Sequence, residues 1–131
     1  MRILTATLIL ALTVGTSAMA KPPLRDVAEI DDAIMAIAIA DAIRKSCDNI
    51  NARLIRAYSE LNRLKSLARE RGYTEDEVED YVTSKAEKAR MKDKAERFLA
   101  ENGVRPDDRP ALCRFGQTQI QSQTQIGQLL R

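Results

Sequence analysis

The chain contains no histidine and no tryptophan, only two cysteines, and 4% aromatic residues. Without histidine there is no Ser-His or Cys-His nucleophile pair, and the common zinc-ligand sets are gone. No G-x-S-x-G elbow, phosphate-binding loop or dinucleotide fingerprint occurs. The scarcity of aromatics leaves few platforms on which bases or sugars could stack. An excess of one charge is lacking too: 21 Lys and Arg stand against 19 Asp and Glu, a formal net of +2. That balance argues against a nucleic-acid partner, whose binding surface carries a strong basic excess. A carboxylate-only mechanism remains, but Asp31 and Asp32 have the plainer reading of helix-capping residues, and Asp41 that of a residue where the helix turns outward. The acidic group Glu75, Asp76, Glu77, Glu79 and Asp80 lacks the spacing of a calcium loop and suits a helix N-terminus. The expectation is of no catalytic residue, no cofactor and no metal site.

What is present begins with a leader. Arg2 supplies a positive start, residues 3–14 an apolar stretch, and Ala18-Met19-Ala20 a small-x-small cleavage site. The stretch falls short of the roughly 20 apolar residues a membrane span needs. Residues 1–20 are therefore expected to be a cleavable signal peptide, with Lys21 opening the mature protein and no stable membrane insertion after cleavage. The destination is read as the periplasm. With Arg2 removed, the mature chain is one charge from neutral. Residues 21–131, in a sequence 44% apolar and 31% charged, suit one folded helical domain. In an oxidising compartment Cys47 and Cys113 are expected to pair. There is no C-x-x-C spacing to support a redox role.

Residues 21–30, with Pro22 and Pro23, are expected to be an extended N-terminal segment. From Asp31 to Arg71 no Pro or Gly appears, and Ala36, Ile39, Ile43, Cys47, Ile50, Leu54, Ala57, Leu61, Leu64 and Ala68 recur every three or four positions. A single rod of that length would protrude from a domain this small. Ser46, Asp48, Asn49 and Asn51 are poor helix formers, so the spacing predicts one helix near 31–46 and another near 48–71, with the face kept in register. Gly72 is placed to cap the second. Thr74 to Glu77 and Ser84 to Glu87 both have capping-box form, so 75–102 is one helix or a short one followed by a longer one. Its apolar side is expected to hold Val78, Tyr81, Val82, Ala86, Ala89, Ala95, Phe98 and Leu99, with Gly103 closing it. Asp107 or Asp108 can cap a last helix with Pro110 in its first turn, carrying Leu112, Phe115, Ile126 and Leu130 on one face. Gln117 to Gln125 alternates like a strand, but no partner strand exists, so the helix is preferred. The fold class is all-α, a small bundle of four to five helices stapled by one disulfide.

The basic group Lys85, Lys88, Arg90, Lys92, Lys94 and Arg97 has two readings, a patch for phospholipid headgroups or an acidic partner and a solvated face with close pairs such as Asp93 with Arg97, of which the second is preferred. The polar tail 117–128 could present amide groups to a partner helix or a glycan, and its plainer reading is an uncharged solvent face. The run K-P-P-L at 21–24, A-I-A-D-A-I-R-K-S-C at 38–47, R-G-Y-T at 71–74 and the closing I-G-Q-L-L-R resembles a domain-of-unknown-function family of small exported alphaproteobacterial proteins. The resemblance covers nearly all of the mature chain. It implies a bacterial, extracytoplasmic setting and supplies no activity. The leading expectation is a non-enzymatic periplasmic module that binds a protein partner. The alternative is an acid- or stress-activated holdase chaperone.

Overall fold

A computed structural model describes residues 20–131. Residues 1–19, with Ala18 of the cleavage site, lie outside the described residues. Five α-helices follow one another: α1 (Ala28–Ser46), α2 (Leu54–Glu70), α3 (Glu75–Thr83), α4 (Lys85–Glu101) and α5 (Arg109–Gln121). Single 3-10 turns at Leu24–Asp26 and Gly127–Leu129 flank them. The described residues contain no strand, so the all-α expectation holds.

Helix α1 is apolar around most of its circumference, and such a helix belongs at the centre. It packs against α2, α4, α5 and both 3-10 turns. Ile39, Ile43, Ile50, Phe115 and Leu130 anchor the main core. A smaller cluster of Leu24, Ile30, Leu64, Tyr73 and Val78 gathers where α1, α2 and α3 meet. The disulfide Cys47–Cys113, with Cα atoms 5.7 Å apart, ties the end of α1 to α5 and encloses α2, α3 and α4 in its loop.

Several boundaries differ from the sequence reading. The segment 21–30 is not extended throughout. Pro23 remains extended, but Leu24 is buried and starts a 3-10 turn, and α1 begins at Ala28. The helix then breaks completely at Cys47, and α2 starts at Leu54 instead of near 48. The chain end explains this. Asn51 donates its N–H to the Arg131 carbonyl at 2.7 Å and accepts from Arg131 N–H at 2.8 Å, while Arg53 N–H reaches the Leu129 carbonyl at 2.8 Å. Backbone groups that would have closed a helical turn are satisfied by the C-terminal residues instead. At the break the common face loses only Leu54: Ile43, Cys47 and Ile50 are buried and Leu54 is 67% exposed, but beyond it Ala57 and Leu61 are half-buried and Leu64 and Ala68 are buried.

The stretch 75–102 resolves into a short and a longer helix. At α3, Thr74 Oγ accepts from Glu77 N–H and Glu77 Oε2 from Thr74 N–H, a complete capping box. Ser84 caps α4 through Glu87 N–H. The Glu87 carboxylate does not return the bond. It is buried, paired with Arg25 and Arg90. The apolar side of α4 is correspondingly shifted: Ala86 and Ala89 are exposed, and Met91 is buried beside Ala95. Asp108 caps α5 by accepting from Ala111 N–H at 2.9 Å. That helix stops at Gln121, and Gln123 takes a left-handed conformation with φ 51°. Gln117 to Gln121 are helical as expected, but Ile126 and Leu130 reach the core from the returning tail and not from a shared helix face.

Candidate functional site

The most unusual group of side chains surrounds Asp31. This carboxylate sits in the first turn of α1 and is 2% exposed. It caps nothing; the residue at the helix start is Val27. Asp31 lies in register with Met35, Ile39 and Ile43, so the stripe that fills the core carries it inward. Its Oδ1 accepts from Tyr81 Oη at 2.6 Å and Arg90 Nη2 at 2.5 Å; its Oδ2 accepts from Lys94 Nζ at 2.6 Å and Arg90 Nη1 at 3.2 Å. Lys94 also reaches Asp32 at 2.5 Å, and Arg90 reaches Glu87 at 2.8 Å. Asp93 with Arg97 is not among the ion pairs of the described residues, and Arg90 and Lys94 face inward instead of forming part of a solvated face.

The electrostatics follow from this geometry. Burial alone would raise the Asp31 pKa, but the hydrogen bonds from Arg90, Lys94 and Tyr81 outweigh it and hold the carboxyl below its ordinary value. Burial and the bond to Asp31 together push the Tyr81 hydroxyl above its ordinary range. A carboxylate so fully engaged has no lone pair aimed at a substrate, and the phenol beside it is not available as a base at neutral pH. Every buried side-chain nitrogen and oxygen among the described residues has a hydrogen-bond partner. The cluster therefore works as a clasp that fixes α3 and α4 on α1.

Two apolar surfaces bear on binding. On the first turns of α2, Leu54, Ile55 and Tyr58 are 67%, 90% and 69% exposed. Helical spacing places them side by side. Arg53 and Arg56 flank them on the same turns, and Arg131 lies opposite Asn51. Neither Arg53 nor Arg56 enters an ion pair among the described residues; they bond to the Leu130 carbonyl and to Gln128. The second surface is an apolar groove of about 450 Å³ over the outer side of α1, walled by α4.

Residues 22–131 match a family described as a family of unknown function, DUF5333. The chain belongs to that family. No curated protein matches, and no solved structure does. For this DUF5333 chain, then, the residues themselves must carry the functional argument.

Of the residues singled out by sequence, Cys47 and Cys113 form the disulfide. Lys21, the expected first residue of the mature chain, donates to Glu77 and to the Gly72 carbonyl, both at 2.7 Å, and lies over the Tyr73 ring. Asp41 pairs along its own helix with Arg44 and Lys45, as its structural reading requires. No group of three or more His, Cys, Asp or Glu among the described residues could hold a metal ion, and none of the helices is long and apolar enough to cross a membrane. The sequence reading missed the Asp31 clasp and the α2 face. The first was traceable from the register of Asp31 with Met35 and Ile39. The second was not, because Leu54 looks like one more member of the core stripe.

Proposed function

We propose that this protein is a non-catalytic interaction module, exported to the periplasm of an alphaproteobacterial cell, whose contact face is Leu54, Ile55 and Tyr58. The carrying observation is the exposure of three large apolar side chains on adjacent turns of one helix. Scattered exposed leucines are ordinary, but a clustered patch marks a contact site. The leader at residues 1–20 and the disulfide support an oxidising, extracytoplasmic setting. The partner that fits is a protein presenting an apolar surface edged with carboxylates, because Arg53, Arg56 and Arg131 border the patch. A membrane surface fits less well. Interfacial helices carry an apolar face along their length, whereas beyond Tyr58 the exposed positions of α2 are Ser59, Asn62, Arg63, Lys65, Ser66, Arg69 and Glu70.

The clasp confines the holdase alternative to strong acid: Asp31 is held below its ordinary value, so its contribution persists at mildly acidic pH and is lost only below about pH 4.

The test places a photo-crosslinking amino acid at position 58 and, as a control, at position 66, in the intact cell. One dominant adduct from position 58 that is lost on Arg53→Glu with Arg56→Glu supports the reading. Equal adducts from both positions, or adducts indifferent to charge reversal, overturn it. Flotation of the protein with anionic vesicles would overturn it in favour of a lipid surface.

A further inference from the structure

The groove over α1 is independent of the α2 face and of its reading. Its floor is the outer side of α1, where Ile34, Ala38 and Ala42 follow at four-residue spacing. Its wall is α4, through Met91, Ala95 and Leu99. From Ile34 to Ala42 the floor runs roughly 12 Å along the helix. The alanines keep the floor low and leave a trough beside α4.

Two observations specify what the trough can hold. Floor and wall present carbon, with Ile34, Ala38 and Ala42 below and Met91, Ala95 and Leu99 beside them. The part of a ligand that lies in the groove is therefore hydrocarbon. The rim differs. Lys88, Arg90, Lys92 and Arg105 line the groove against Glu87 and Glu96 alone. Arg90 and Glu87 are bound up in the clasp with Asp31 and Arg25. Lys88 enters no ion pair among the described residues, and Lys92 reaches Glu96 only at 3.8 Å. Lys88 and Lys92 are one turn apart on α4, so their ammonium groups share a face. A volume of about 450 Å³ lies within the range of small-molecule sites.

We propose that this groove binds a single-chain anionic amphiphile, a medium-chain fatty carboxylate of about ten carbons that matches the roughly 12 Å floor, with its hydrocarbon along Ala38 and Ala42 and its carboxylate at Lys88 and Lys92. An acidic partner helix is a poorer fit, since a floor roughly 12 Å long seats only about two turns.

The test is titration of the disulfide-intact protein with decanoate below its micelle concentration, followed by calorimetry, beside decanol and an acidic helical peptide. The expected result is one saturable site that prefers decanoate to decanol by about tenfold. Lys88→Glu with Lys92→Glu weakens it by about tenfold, Ala42→Trp abolishes it by filling the floor, and Leu54→Ser with Ile55→Ser leaves it unchanged. Should Ala42→Trp fail to fold, the charge-reversal pair decides alone, because both lysines are exposed. Absence of saturable decanoate binding, equal binding of the alcohol, indifference to charge reversal, or binding of the peptide alone overturns the proposal.

Discussion

Arg90 holds Asp31 with both terminal nitrogens, Nη2 at 2.5 Å from Oδ1 and Nη1 at 3.2 Å from Oδ2, and so ties α4 to the first turn of α1. The two residues are 59 positions apart in the chain. Their union is a charge pair removed from water, and its value depends on every remaining lone pair being met. Tyr81 and Lys94 meet them. The adjoining charges balance: Asp31, Asp32 and Glu87 against Arg25, Arg90 and Lys94.

Removing one side of this pair strands the other. Asp31→Asn is expected to cost about 3 kcal/mol, since it leaves Arg90 and Lys94 without their buried counter-charge. Asp32→Asn, on the exposed side of the same helix turn, should stay within about 0.5 kcal/mol of the parent. Urea denaturation of the two variants measures the contrast; equal effects would remove the clasp from the account.

The same carboxylate sets a pH dependence. Its folded-state pKa is below the ordinary value of 3.8, so its contribution is complete above that value and is lost as pH falls through the lower, folded-state one. Stability is expected to hold between about pH 7 and 5 and to fall below about pH 4. Denaturation midpoints against pH should show a shallower acid limb in Asp31→Asn than in the parent.

The disulfide closes a loop between residues 66 positions apart. Cys113→Ala is expected to lower stability by roughly 4 kcal/mol at most, the chain-entropy figure before native strain and residual denatured structure reduce it. The single remaining thiol, Cys47, is 2% exposed and should resist alkylation until the protein unfolds.

Gly127 is a packing requirement. A Cβ there would stand 1.8 Å from the Gln119 carbonyl oxygen and 2.2 Å from its carbon, which is backbone and has no rotamer to give. Gly127→Ala is expected to unseat the returning tail at a cost of about 3 kcal/mol, above the usual range for side-chain overpacking only if the tail leaves altogether. Hydrogen exchange should then rise at Asn51 and Arg53, whose N–H groups are held by Arg131 and Leu129.

Exposure of the α2 face separates stability from binding. Ile55→Ser should change stability by less than about 0.5 kcal/mol, whereas Ile39→Ala in the core should cost about 3 kcal/mol. Thermal melts of the two proteins check this directly.

Much of the architecture was legible locally. The Thr74 capping box, the Asp108 cap with Pro110 behind it, and the stops at Gly72 and Gly103 each depend on residues within a few positions of one another. The helix α4 was misjudged for a physical reason. Its inward side carries Glu87, Arg90 and Lys94 beside Met91 and Ala95, and apolar periodicity does not register a charge that is buried because it is paired. Leu54 was misassigned because the stripe from Ala36 to Ile50 continues through it in sequence, while in space the tail residues 129–131 have already turned the chain away.

Sequence alone determined the helical class, the caps, the likeness of the chain to its family, and the absence of histidine chemistry, because these depend on composition and on neighbours along the chain. The burial of Asp31, the opening of the Leu54 face and the groove along Ala38 and Ala42 were decided only by tertiary structure. Each arises where residues far apart in sequence meet, and the free energy of burying a charge or leaving an apolar side chain in water depends on which partner arrives there.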